Sequence, residues 1–317
     1  MLASQPILAA LAGLLLLMGG GNYVVRQGTT LAQRLGVPPL FIGVVIVGFG
    51  TSAPELATGV RAALSGAPAL AFGNVIGASL ANLLIVLPLA ALLLPFRISR
   101  AAIATEGAAV AAAAALFAGL AFLPALARAS GVVLLLLLAL WLFVSLRHSA
   151  RSRAAEAALQ KREAMVVAVA APWWEALLLL LAGILALVLG ADLLVAGATR
   201  LAVRLGVGED MLGLTLLSFG TCLPELATAI AATRRRQTDI VIGNVLGSCL
   251  FNILAVGGLV MAISGAAPQD AARHLDAPVL AATALFVIAL LMLRERVGRP
   301  AALLLLALYV LWLTVRL

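Results

Sequence analysis

The sequence predicts an all-α polytopic membrane protein, with ten transmembrane helices arranged as two inverted five-helix repeats. Three observations predict this. The chain of 317 residues is 64% hydrophobic and only 11% charged, with a mean hydropathy of +1.17, where a soluble domain carries about 25% charged residues. Its apolar runs approach the length of about 20 residues that crosses a bilayer. Its two halves repeat one another at a constant offset. A β-barrel would instead show segments of about ten residues with alternating polarity, and none occur.

Apolar runs broken by Arg, Pro, Gly and Ser place the spans, in order, at 5–25, 37–61, 68–94, 101–123, 130–147, 173–196, 207–233, 239–264, 276–293 and 299–316. The first run lacks a basic leader and matches the sixth span, so it reads as a retained helix rather than a cleaved signal peptide. Segment 148–172, "HSARSRAAEAALQKREAMVVAVAAP", is the one polar linker.

Loop charge orients the spans. With the N-terminus outside, inner loops hold 15 of the 21 basic residues, including Arg97, Arg100, Arg151, Arg153 and Arg234–Arg236. The positive-inside rule then puts the central linker in the cytoplasm and both termini outside, in a plasma (inner) membrane. The net charge of +8 is scattered between apolar runs with no aromatic interleaving. It is therefore topogenic, and no nucleic-acid partner is expected. Cys222 and Cys249 lie in apolar spans without metal-site spacing and read as packing thiols; His148 and His274 fall in loops.

The repeat is explicit. "LAQRLGV" at 31–37 recurs as "LAVRLGV" at 201–207, "FGTSAPELAT" at 49–58 as "FGTCLPELAT" at 219–228, and "GNVIGASLANLL" at 73–84 as "GNVLGSCLFNIL" at 243–254, always 170 residues apart. The chain divides into a first repeat, 1–147, the linker 148–172, and a second repeat, 173–317, with the motifs at 48–84 and 218–254. Five spans per copy is an odd number, so the second copy enters the membrane upside down relative to the first.

Within the first motif Pro54 lacks an N–H and disfavours a helical bond to Gly50, freeing a carbonyl. In hydrocarbon such a carbonyl persists only where protein, water or an ion answers it. Glu55 follows at once, with Thr51 and Ser52 at i−4 and i−3 on the same helix face. Gly220, Thr221, Pro224 and Glu225 reproduce the arrangement, and the next spans add the amides Asn82 and Asn252, with Asn74 and Asn244 eight residues earlier. Two carboxylates with amide, hydroxyl and backbone oxygens suit Ca²⁺, which takes six to eight oxygen ligands; no Cys/His set for zinc or copper is present. A single intramembrane Glu also serves as a helix–helix hydrogen-bond donor. Its duplication across an inverted repeat points instead to an ion site. Of the other acids, Asp192 and Glu106 lie within spans as candidates for proton transfer or gating. Asp239 sits at a membrane edge, and Glu175 beside Trp173 and Trp174 is an interfacial anchor.

At these residues the sequence resembles the cation/Ca²⁺ exchanger superfamily, specifically the bacterial and archaeal sodium/calcium-exchanger-like antiporters. The likeness covers the whole chain through the paired G-[TS]-[SC]-x-P-E and G-N-x-x-G signatures. It implies that Glu55 and Glu225 are central acidic ligands, with Asn82 and Asn252 at the matching positions of the following helices. It further implies that Thr51, Ser52, Thr221 and Ser248 line flanking Na⁺ sites, together with carbonyls near Gly48 and Ser218. Eight helices would form a core across which the first and sixth spans slide. The chain departs from the pattern where Cys222 answers Ser52 and Ala78 answers Ser248.

The expectation is a secondary antiporter exchanging Ca²⁺ for Na⁺ by alternating access at a midplane site, with Ca²⁺/H⁺ exchange as the alternative. A passive cation channel or a structural membrane protein is the alternative of another class. No nucleophile–base pair marks an enzyme. No cofactor is expected beyond the transported Ca²⁺, Na⁺ or H⁺, and a monomer in the bilayer suffices for transport.

Overall fold

The computed structural model describes residues 5–98, 100, 103–160, 172–204 and 220–316. The helices are α1 (Pro6–Leu35), α2 (Pro39–Thr51), α3 (Ala53–Leu64), α4 (Pro68–Leu93), α5 (Ile103–Leu120) and α6 (Ala127–Gln160). They continue with α7 (Trp173–Arg204), α8 (Leu223–Arg234), α9 (Thr238–Ser264), α10 (Ala272–Arg294) and α11 (Arg299–Arg316). Eight are long and apolar enough to cross a bilayer, and α2 with α3, bent by 45° between Thr51 and Ala53, makes a ninth candidate. Of the span expected at 207–233, only Gly220 onward lies among the described residues.

Local chemistry sets the helix ends. Prolines open α1, α2 and α4, where a missing N–H removes nothing the helix needs. α1 stops at Gly36, whose left-handed backbone (φ 62°) lets its N–H reach the carbonyls of Ala32 and Gln33. α6 runs thirteen residues past the expected end at 147, because "RSRAAEAALQ" is composed mostly of strong helix formers. The polar linker therefore begins as helix, and the part at 161–171 lies outside the described residues.

Of the five π-helical segments among the described residues, four form two pairs across the repeat: Asn82–Val86 with Phe251–Gly257, and Ile103–Gly107 with Ala272–Asp276; the fifth is Gly43–Val47. Such segments widen one turn and turn side chains off the helical register, and they concentrate at functional positions.

Helices α4 and α9 are central: 83% of their most apolar window is buried, against 33% for α1 and α7. One apolar cluster joins α4, α5, α9 and α10 through residues such as Phe72, Phe117, Val245 and Leu280. A second joins α1, α2 and α7 through Leu17, Val24, Ile42, Leu180 and Leu187. The faces of α1, α6, α7 and α11 that turn outward carry Leu15, Leu136, Leu185 and Leu304, all exposed, as lipid contact requires. A short antiparallel pair, β1 (Phe96–Arg97) with β2 (Arg296–Val297), ties the loop after α4 to the loop after α10.

Helices α1 and α7 cross antiparallel at backbone distance. Gly13 lies against Gly190 and Leu194, and Gly20 against Gly183 and Leu187; a Cβ on Gly13 would sit 2.5 Å from the Leu194 nitrogen. Small residues of this kind let membrane helices associate through backbone contact where no hydrophobic force separates helix from lipid. Gly13→Ala is therefore expected to lower the thermal midpoint in detergent, by the ~1–3 kcal/mol typical of overpacking. Gly19→Ala, with nothing within 4 Å, should leave the midpoint unchanged or raise it. Equal midpoints for the two variants would contradict the close crossing.

Candidate cation site

The break in α2–α3 positions the first carboxylate. Ser52 leaves helical geometry (φ −88°, ψ 8°) and α3 restarts with Pro54 in its first turn, which brings Glu55 into the interior at 1% exposure. The second repeat does the same: Cys222 has φ −86° and ψ 0°, Pro224 follows, and Glu225 is fully buried. The following helix of each repeat supplies an amide from the start of a π segment, Asn82 in α4 and Asn252 in α9, both buried. The Asn82 segment packs against α8, which carries Glu225, and the Asn252 segment packs against α3, which carries Glu55. The segment that carries each amide thus packs on the helix that carries the glutamate of the opposite repeat.

Seven side-chain atoms of these four residues are buried without a hydrogen-bond partner: both oxygens of Glu55, Oε2 of Glu225, and the amide oxygen and nitrogen of Asn82 and of Asn252. A buried polar group left unanswered costs about 1–3 kcal/mol, and more when charged. So many unanswered polar atoms on the residues that the duplicated motif singles out make this group the candidate cation site. Among the described residues no three His, Cys, Asp or Glu side chains converge, so the acidic share of this site is the two glutamates.

The hydroxyls distribute differently from the helix-face expectation. Because the helix breaks at Ser52, Thr51 and Ser52 do not simply flank Glu55. Ser52 Oγ donates to Glu225 Oε1 at 3.3 Å, and Ser248 Oγ lies 3.4 Å from the same oxygen. Thr51 Oγ1 lies 3.2 Å from Asn244 Oδ1 and 3.4 Å from Ser248 Oγ. The Gly48 carbonyl accepts from Ser248 and Thr51, each at 3.3 Å. Thr221 is half-buried and engages Cys222. Ser218 lies outside the described residues. Five of the expected residues, Thr51, Ser52, Gly48, Ser248 and Glu225, therefore form one hydrogen-bonded group, while Glu55 faces the site without a donor.

Asn244 and Glu106 are among the sequence candidates, but their roles, like the burial of Thr228, were not anticipated. Asn244 is a latch: its Nδ2 donates to the Glu225 backbone carbonyl at 3.2 Å while its Oδ1 accepts from Thr51, joining the two repeats. Thr228 Oγ1 is buried without a partner one turn after Glu225; the repeated "ELAT" was the signal for it. Glu106 and Asp276 form a second carboxylate pair 170 residues apart. Trp141 Nε1–H donates to Glu106 at 3.1 Å, and Trp312 Nε1–H donates to Asp276 at 3.2 Å, where Arg316 adds an ion pair at 3.1 Å. These pairs brace α5 on α6 and α10 on α11. Asp192 and Asp239 are exposed, and Glu175 is exposed beside Trp173 and Trp174, as an interfacial anchor would be.

The family model described as sodium/calcium exchanger protein matches residues 6–147 and 175–317. The inner membrane protein YrbG of Escherichia coli is 31% identical over 96% of this chain and 94% of its own. The sodium/calcium exchanger MaX1 of Methanosarcina acetivorans is 26% identical over 97% of both chains. The solved structure of the sodium-calcium exchanger NCX_Mj soaked with zero Na⁺ and Ca²⁺ superposes with a TM-score of 0.82 at 28% identity, covering 98% of each chain.

The latch generates a prediction. Asn244→Ala removes the donor to the Glu225 carbonyl and one of three acceptors within reach of Thr51, and should destabilise the protein by about 1–3 kcal/mol, read as a lower thermal midpoint. Asn22→Ala, which removes an exposed contact to Arg235, should have little effect; a midpoint unchanged by Asn244→Ala would remove the latch.

Proposed function

Since the chain belongs to the sodium/calcium exchanger protein family, and is an integral membrane protein by its helices, we propose that it exchanges Ca²⁺ for Na⁺ by alternating access at the Glu55–Glu225 site. The observation that carries this reading is the set of seven buried, unpartnered atoms on Glu55, Glu225, Asn82 and Asn252. Two carboxylates carry a charge of −2, which one Ca²⁺, two Na⁺ or two protons neutralise. The cations therefore compete for one site, and an empty, doubly charged site resists enclosure in a low dielectric. Only loaded forms cross between the two open states, which makes exchange obligatory. Thr51, Ser52, Thr221 and Ser248, with the Gly48 and Ser218 carbonyls, serve Na⁺. No cofactor takes part, and one copy of the chain suffices.

The architecture proposed for this is ten spans in two inverted repeats, 1–147 and 173–317, joined by the cytoplasmic linker 148–172, with both termini outside. Contacts that exchange under the 170-residue offset support it. Gly13 meets Gly190 while Gly20 meets Gly183, and Cys249 donates to the carbonyl of its own counterpart, Ser79, at 3.6 Å. Reciprocal contacts of this kind are the mark of a two-fold axis.

An asymmetry in exposure supports alternating access. Thr58 of the first repeat is exposed, whereas Thr228 at the matching position is buried. The first-repeat face is the open one, and on the proposed topology it opens outward. Ca²⁺/H⁺ exchange is the second reading. It is favoured by Cys222 and Ala78 standing where the Glu225 side has the hydroxyls Ser52 and Ser248.

In proteoliposomes, an imposed Na⁺ gradient should drive Ca²⁺ uptake, and a pH gradient alone should not. Glu55→Gln and Glu225→Gln should each reduce uptake to background while the protein still inserts. Uptake under the pH gradient only would select the second reading, and wild-type uptake in both variants would overturn the site. In the ion-free protein, Thr58→Cys should react with a membrane-impermeant maleimide from outside, and Thr228→Cys from neither side. The reverse pattern would overturn the assignment of the open face.

A further inference from the structure

A cleft of about 450 Å³ opens where the loop after α4 meets the turn between α8 and α9. Leu94, Phe96 and Arg97 line it from the first repeat, and Thr233, Arg236 and Thr238 from the second. On the topology proposed above this edge faces the cytoplasm, since it carries the inner-loop cations Arg97 and Arg234–Arg236.

The repeat supplies an internal control. At the 170-residue offset, Thr233, Arg236 and Thr238 correspond to Ala63, Gly66 and Pro68, and Arg97 corresponds to Ala267. Both copies build a helix, a tight turn and a helix here, but only the second lines the turn with guanidinium and hydroxyl groups. The turn takes a left-handed residue in each copy: Gly66 has φ 77° and Arg236 has φ 58°. Glycine adopts that conformation freely, whereas a residue with a Cβ does so at a cost. Arg236 therefore stands where the backbone favours glycine. Thr233 is the second anomaly. It is 4% exposed and its Oγ1 has no hydrogen-bond partner among the described residues, where the counterpart Ala63 leaves nothing unanswered. Topogenic charge accounts for a cation in this turn, but not for a buried, unanswered hydroxyl three residues earlier.

The lining selects the ligand. Among the described residues neither Arg97 nor Arg236 makes an ion pair. Of the acids at this edge, Asp239 is exposed and outside the lining, and Glu295 is taken by Arg100. Guanidinium forks beside hydroxyl donors match the oxygens of a phosphate. Thr238 opens α9, and the first N–H groups of a helix favour an anion further. Leu94, exposed at the end of α4, adds an apolar wall of the kind that meets lipid.

We propose that this cleft binds a phosphate group between the two repeats, presented by an anionic phospholipid headgroup or by free phosphate. Basic pockets between transmembrane helices hold phospholipid headgroups in this manner. The inference is independent of which ion the protein transports.

The test uses the full-length protein in a neutral detergent at constant ionic strength. The probes are dioctanoyl phosphatidylglycerol, dioctanoyl phosphatidylcholine and inorganic phosphate. A ligand that binds only the folded protein raises its thermal midpoint. Phosphatidylglycerol should raise the midpoint saturably, and phosphatidylcholine should not. A rise with inorganic phosphate as well assigns the site to the phosphate group alone; a rise with the lipid only assigns it to the headgroup. Arg236→Gly and Thr233→Ala install the residues that the first repeat carries, so both should keep an undiminished ligand-free midpoint. Arg236→Gly and Arg97→Gln should each need about tenfold more ligand for the same rise, as loss of a charged contact implies. Thr233→Ala should need about threefold more. Arg299→Gln removes an exposed cation outside the cleft and should leave the dependence unchanged. No saturable rise with phosphatidylglycerol or phosphate would overturn the proposal. So would equal rises with the two lipids, or equal losses in Arg299→Gln and Arg236→Gly.

Discussion

Two carboxylates enclosed together in an apolar interior are the constraint on which the rest of this structure depends. One charged side chain at the centre of a bilayer costs about 2.5–3.5 kcal/mol on insertion scales, and a second beside it adds repulsion. Glu55 and Glu225 are both buried and face one another electrostatically. Among the described residues, hydroxyls reach one oxygen of Glu225 and neither oxygen of Glu55. Among the described residues no cationic side chain completes a salt bridge with either, in contrast to Asp276, which takes Arg316. On the exchange mechanism proposed above, that charge is left for a transported cation to neutralise.

The architecture follows from delivering ligands to that point. Breaking α2–α3 at Ser52, and its counterpart at Cys222, places each glutamate in the first turn of a new helix. The π segments at Asn82 and Asn252 then turn the amides off the helical register, and packing sets each segment against the opposite repeat. Glu225 takes one hydroxyl from each half, Ser52 and Ser248, so its surroundings draw on both repeats. Close backbone contact between α2 and α9 keeps this arrangement tight: a Cβ on Gly247 would collide with the Val44 carbonyl oxygen. α1 and α7, packed on each other more than on the core, form a separate pair. That division suits a rigid centre bordered by a unit that slides.

Much of this was legible in the sequence because the repeat supplied an internal comparison. The constant offset paired Glu55 with Glu225 and Asn82 with Asn252, and those four residues carry the orphaned atoms. The direction of the hydroxyls was not legible. Helical spacing put Thr51 and Ser52 beside Glu55, but spacing holds only along an unbroken helix, and the break sends Ser52 to Glu225 instead. The Glu106–Trp141 and Asp276–Trp312 braces escaped for a related reason. The offset pairs the acids, but their indole partners come from neighbouring helices at 141 and 312, which differ by 171. The helical start of the linker was missed because a polar composition was read as loop where its propensity favoured helix.

The central claim is that the unpartnered oxygens of both repeats form one shared cation site. Equilibrium Ca²⁺ binding to the purified protein tests it most directly. The account predicts one Ca²⁺ bound per chain, displaced by Na⁺, with binding lost in Glu55→Gln and in Glu225→Gln alike. Two independent Ca²⁺ ions per chain, or binding that survives either substitution, would contradict it.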